Sequence, residues 1–150
     1  MAHLEDLLGK EVTGKDGNSV SVSSLEANDL LGIYFSAHWC SPCRCFTPTL
    51  AECYNKVTSA GKKWEIIFIS LDKDEESCKQ YYESMPWLLF PFESDLKDKN
   101  ANKSETLADK YEVTGIPTLL LLDPKSGERI TDNGQDLVEK DPSGEKFPWN

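Results

Sequence analysis

The feature that most restricts this chain is the pair Cys40 and Cys43 in Trp39-Cys40-Ser41-Pro42-Cys43, because of what flanks it. Before it, Leu30 to Ser36 is a short continuous apolar run, the pattern of a buried strand. After it, Phe46, Leu50, Cys53, Tyr54 and Val57 fall on one face of a helix expected from Cys40 to about Ser59. The cysteines therefore sit at a strand-to-helix junction, Cys40 at the helix N-terminus and Cys43 one turn further in. Unpaired N–H groups and the positive end of the helix dipole stabilise an anion at that terminus. Such settings bring a thiol from its ordinary pKa of ~8.5 down to roughly 3.5–7.5. Pro42 suits the first turn, where its missing N–H costs nothing.

This arrangement fits dithiol exchange. Cys40 would attack a disulfide and form a mixed disulfide, and Cys43, more buried, would attack Cys40 and release the reduced product. The chemistry needs no cofactor. Zinc is the competing reading, but a structural site takes four ligands. His3 and His38 are the only histidines, and Cys45, two residues beyond Cys43 on a helix, points elsewhere. No metal is expected.

The rest of the chain bounds the setting. Its 150 residues suit one domain, taken as residues 1–150. The net charge of −10 argues against nucleic acid, which needs clustered Lys and Arg. No apolar run reaches the ~20 residues of a membrane helix. The start has no signal-peptide pattern and the end no retention signal, so a cytoplasmic location, with a nuclear one as the alternative, is expected. Five cysteines cannot all pair, which disfavours a structural disulfide framework.

Glu11 to Val22 reads as two short strands around a Gly-rich turn, and Ser23 to Asn28 as a helical turn. Trp64 to Leu71 reads as a second apolar strand. Asp74 to Met85 is a helix with Cys78, Tyr81, Tyr82 and Met85 on one face. A helix capped by Asn102 is expected to run to Tyr111. Pro117 to Asp123 and Glu128 to Thr131 read as strands joined by a turn, and Pro48 is expected to kink the helix it interrupts. The order implies an α/β protein with a central mixed sheet flanked by helices on both faces.

Three further segments accompany the cysteine motif: Met85-Pro86-Trp87-Leu88, Gly115-Ile116-Pro117-Thr118-Leu119, and Asp141-Pro142 through Phe147-Pro148-Trp149. With Phe35-Ser36-Ala37 before Trp39, and Arg44, Phe46, Thr47 and Pro48 after Cys43, the chain resembles the thioredoxin superfamily, and within it the tryparedoxins and nucleoredoxins. The resemblance implies a thioredoxin-like fold and disulfide reductase activity on protein disulfides, with an upstream thiol reductant or reductase as second partner. It implies that Pro117 is a cis-proline facing the sulfurs. It makes Cys40 and Cys43 catalytic, Trp39, Ile116 and Pro117 substrate-binding, and Ser41, Pro42 and Arg44 supporting. A redox-sensing adaptor of nucleoredoxin type, binding partners according to thiol state, is the alternative function. Thioredoxins keep a buried acid six residues before the nucleophile; here that position is Tyr34, which leaves the general base unassigned. Cys53 and Cys78 share core stripes, His38 reads as a surface residue, Trp87 as packing, and Asp72 to Glu76 as an acidic helix start.

Overall fold

The computed structural model describes residues 8, 11–15, 17–72, 74–90, 109–131, 133–147 and 149. Seven strands form one sheet: β1 (Glu11–Thr13), β2 (Ser19–Ser21), β3 (Leu30–Ser36), β4 (Trp64–Ser70), β5 (Leu88–Leu89), β6 (Thr118–Leu122) and β7 (Arg129–Thr131). Their spatial order is β2-β1-β5-β4-β3-β6-β7. β3 pairs parallel with β4 and antiparallel with β6; β4 pairs parallel with β5, and the remaining pairs are antiparallel. Among the described residues the helices with both ends in view are α1 (Ser41–Ser59), α2 (Glu75–Tyr82) and α3 (Gly134–Lys140), with a 3-10 helix at Val22–Ala27; Asp109 and Lys110 are also helical.

β3 is buried at every residue because it is central and covered on both faces. Successive side chains of a strand point to opposite faces. Leu30 and Tyr34 join Trp64, Ile66, Phe68, Leu119 and Leu121 in one core cluster, while Leu31, Ile33 and Phe35 join Ile67, Ile69, Leu120 and Leu122 in the other. The run of four leucines in β6 thus supplies both layers. A Cβ on Gly32 would stand 3.1 Å from Ile66 and 3.3 Å from Leu119, so the glycine leaves room for both.

α1, α2 and α3 cover the first face, with Phe46, Leu50, Cys53, Val57, Cys78, Tyr81, Tyr82 and Val138 turned inward. Val22 and Leu25 of the 3-10 helix, with Leu8 and Tyr111, cover the second. α1 runs through Pro48 as one helix, and Pro48 is exposed. α2 ends at Tyr82 rather than Met85, consistent with the way Pro86 disfavours helical backbone at the residue before it. Met85 is still buried in the same cluster. The helix expected from Asn102 lies outside the described residues up to Ala108.

Two elements had no sequence signal. β5 is two residues long, too short for a period, and exists because β1 and β4 pair with it from either side. α3 buries Val138 and carries the i,i+4 pair Asp136–Lys140 at 2.9 Å on its exposed side.

Candidate functional site

β3 ends at Ser36, Ala37-His38-Trp39 turn, and α1 begins at Ser41, so Cys40 is the N-cap of α1. Its sulfur accepts from the Cys43 backbone N–H at 3.4 Å and faces the Ile116 carbonyl oxygen at 3.9 Å. The Ile116–Pro117 peptide is cis. Ala37, Cys40 and Cys43 form a small apolar cluster of their own, with Leu71 and Ile116 against it. Cys40 is 7% exposed and Cys43 fully buried. The structure therefore brings Cys40, Cys43 and Ile116 together, with Pro117 continuing the chain past them.

Trp39 is 60% exposed, a large apolar ring left open beside the sulfurs. Its indole N–H donates to the Leu71 carbonyl at 3.2 Å, which fixes the ring on the rim of a cleft of about 490 Å³ shared with His38 and Asp72. Ser41 and Pro42 are exposed on the first turn. The Arg44 side chain lines a separate groove of about 870 Å³ between α1 and α2. His38 is exposed and stacks on Tyr81, ring centroids 5.5 Å apart. Cys45 is exposed, Cys53 and Cys78 are buried, and all five cysteines are thiols. Among the described residues no group of three or more His, Cys, Asp or Glu side chains is placed to hold a metal.

Among the described residues the buried polar side chains are Ser36, Thr47 and Asp72, and all three border this site. Asp72 accepts from the His38 backbone N–H at 2.8 Å and from the Ser70 hydroxyl at 2.7 Å, anchoring the turn that carries Trp39 and Cys40. The acidic run does start a helix, with Asp74 as the N-cap of α2, its carboxylate accepting from the Ser77 N–H at 2.7 Å. The Thr47 hydroxyl donates to the Cys43 carbonyl at 2.9 Å and meets the Tyr34 hydroxyl at 2.7 Å and the Tyr81 hydroxyl at 2.6 Å. Tyr81 in turn meets Ser36 at 2.7 Å. The sequence assigns these residues no role at the site: Ser36 and Thr47 belong to the segments that carry the family resemblance, and Tyr81 to an apolar helical stripe. The signal available was a hydroxyl in each of three otherwise apolar faces.

Burial pushes the Cys43 thiol up to about 11, with the Cys40 sulfur adding to the rise and the Ser36 hydroxyl and Ala37 amide working against it. Burial likewise carries Cys53 to about 12. A thiol whose folded pKa exceeds its unfolded value stabilises the fold fully below the unfolded pKa, and that contribution is lost as pH rises toward the folded one. Stability of the reduced protein is thus expected to fall from about pH 9 upward, as unfolded thiols ionise before these two can. Thermal melts between pH 7 and 11 check this; a melting temperature that holds level to pH 11 contradicts it.

The family described as Thioredoxin-like matches residues 28–129. Over 135 residues the chain is 45% identical to nucleoredoxin of Mus musculus, covering 90% of this chain and 29% of that protein, so it spans under a third of that relative's length. It is 42% identical over 130 residues to tryparedoxin of Trypanosoma brucei brucei, covering 87% of this chain and 85% of the relative. Native tryparedoxin I from Crithidia fasciculata superposes with a TM-score of 0.85 at 37% identity, covering 99% of this chain and 98% of the other. A cysteine pair at a strand-to-helix junction, the carbonyl of a cis Ile116–Pro117 bond facing it and this sheet order belong together: the chain is a member of the thioredoxin-like oxidoreductase family, beside the tryparedoxins and nucleoredoxins.

Proposed function

We propose that residues 1–150 work as a single thioredoxin-like domain that reduces protein disulfides, with Cys40 as nucleophile and Cys43 as resolving thiol. The observation that carries this reading is the difference between the two sulfurs. Cys40 stands at the edge of the site, facing the Ile116 carbonyl and next to the open ring of Trp39, whereas Cys43 is sealed behind it. An incoming disulfide reaches only the first. An extended substrate segment would lie against Ile116 and Pro117 and under Trp39, with Ser41 and Pro42 exposed at its flank. Arg44, on the neighbouring groove, would act on the approach of the partner rather than on the sulfurs. A thiol reductant or reductase upstream would restore the dithiol, which suits a cytoplasmic setting. No described helix is long and apolar enough to cross a membrane.

The test is the Cys43→Ser variant. It is expected to accumulate a mixed disulfide with an oxidised protein substrate, located by mass spectrometry of the peptide carrying Cys40. Accumulation through Cys45 instead, or none at all in the folded variant, would reverse the assignment.

A further inference from the structure

The open groove of about 870 Å³ between α1 and α2 starts one helical turn from the nucleophile. One wall is a stripe of α1. Arg44, Pro48, Ala51 and Asn55 follow one another at intervals of four, three and four, the spacing that stacks side chains along one helix face. Arg44 heads the stripe, and its backbone N–H donates to the Cys40 carbonyl at 3.1 Å. Gln80 and Tyr81 of α2 stand on the other wall. His38 lines this groove and also the smaller cleft beside Trp39, so the two meet there. The junction is firmly held: the His38 N–H donates to Asp72 at 2.8 Å, and the imidazole stacks on Tyr81.

Two features of the lining select an occupant. Pro48 has no N–H, so the Arg44 carbonyl lacks its helical donor. A backbone acceptor without its usual partner, next to the apolar surface of Pro48 and Ala51, suits a polypeptide segment. The second feature is charge. Glu52 and Lys56 of the lining pair with each other at 3.0 Å, and among the described residues no carboxylate pairs with Arg44. The groove therefore has a net positive charge at the end nearest Cys40, on a chain of net charge −10. The field of the whole chain repels an acidic partner in general, while this one spot rewards a carboxylate placed on it. The same net charge disfavours a second copy of the chain as occupant.

From this geometry, and resting on the proposed exchange at Cys40, we infer that the groove receives the extended stretch of the substrate protein next to its reacting cysteine, and favours an acidic residue there through Arg44. Four residues of helix separate Cys40 from Arg44, a rise of about 6 Å along the axis. An extended chain advances about 3.3 Å per residue. The favoured acid thus lies about two to four residues from the substrate cysteine. Docking of this kind leaves the thiols as they are and acts on the encounter, so it separates substrates by what flanks their disulfide.

The experiment uses disulfide-linked dimers of short cysteine peptides as substrates. One has no arm. The others carry an arm of about four residues, on one side of the cysteine or the other, holding Glu, Gln or Lys at its charged positions. Reduced protein in excess is mixed with each, quenched in acid and assayed by chromatography. At low salt the Glu arm on one side is expected to react about threefold to fivefold faster than the Gln arm, the scale of a solvent-exposed ion pair, and the Lys arm more slowly. Salt at about 1 M should level the three. Asn55→Glu with Gln80→Glu, both exposed on the groove walls, should abolish or reverse the preference while the armless dimer reacts as with wild type. Lys110→Gln with Lys125→Gln changes the net charge equally at exposed positions outside the groove and should keep the preference. Thermal melts check the fold of each variant. Glu and Gln arms within about 1.5-fold of each other on both sides overturn the docking alone. So does a preference that the groove variants keep or that the Lys variants lose. A wild-type dimer in sedimentation that the groove variants dissociate gives the groove to a second copy, and overturns it too. A wild-type protein that reduces none of the peptides overturns the exchange at Cys40 and the docking with it.

Discussion

Cys40→Ser is expected to abolish disulfide reduction while leaving the fold as stable as before or more so. The two halves of that expectation have different causes. A serine oxygen cannot form a disulfide, so the first bond of the cycle is never made. Losses on removing a nucleophile of this kind are commonly more than about a thousandfold. The fold, by contrast, asks of Cys40 only that it cap α1, accepting from the Cys43 N–H across 3.4 Å. Serine is among the best residues for that task, and its oxygen is the stronger acceptor. The variant fills less space in the small cluster with Ala37 and Cys43, but Cys40 lies at the edge of that cluster and retains some exposure. Insulin-disulfide reduction read beside a thermal melt checks both halves. A Cys40→Ser protein that melts like wild type and still turns over insulin would remove Cys40 from the mechanism.

Gly144→Ala is expected to be the most damaging small substitution outside the site. Gly144 has φ +70°, a left-handed backbone in which an L side chain costs roughly 1–2 kcal/mol. A Cβ there would also lie 2.2 Å from Val57 Cγ2, inside the α1 core face, where overpacking costs about 1–3 kcal/mol. The turn cannot easily yield. The Asp141 carboxylate accepts from the backbone N–H of Glu145 and Lys146 and from the Trp149 indole N–H, at 2.8 to 3.1 Å. Phe147 and Trp149 sit on Trp64 with ring centroids 5.6 and 5.4 Å away. A loss of about 3 kcal/mol corresponds to a fall of roughly 10 °C in melting temperature at this size. Gly61→Ala supplies the comparison. Gly61 has φ +88° with nothing within 4 Å of its Cβ position, so it carries the backbone cost alone. Calorimetry of both variants, with exchange activity measured below the melt, checks the argument. Equal losses in the two would show that Val57 moves aside freely.

The strand and helix that carry the cysteines were legible in the chain because local pattern and global position agree there. β3 spans Leu30–Ser36 as its apolar run does, and Cys40, expected at the helix N-terminus, is the N-cap of α1, whose first helical residue is Ser41. The stripe of Phe46, Leu50, Cys53 and Val57 faces the core, since helical period and burial are the same information. Segments whose structure depends on partners were not legible. β5 has no period of its own and is a strand only because two others flank it.

The site divides along the same line. The sequence by itself determined where the two thiols lie: one helical turn apart at a strand-to-helix junction, directly after Trp39, a placement set by short-range spacing. The family resemblance added the proline loop. Only the tertiary structure decided what surrounds the second thiol. Ser36, Thr47 and Tyr81 come from β3, α1 and α2, and Ser36 and Tyr81 are 45 positions apart in the chain, so no local pattern joins them. The same is true of Asp72, which holds the His38 amide across 34 positions. The physical reason is that a buried hydroxyl or carboxylate must find its partner wherever the packing of helices on the sheet places one.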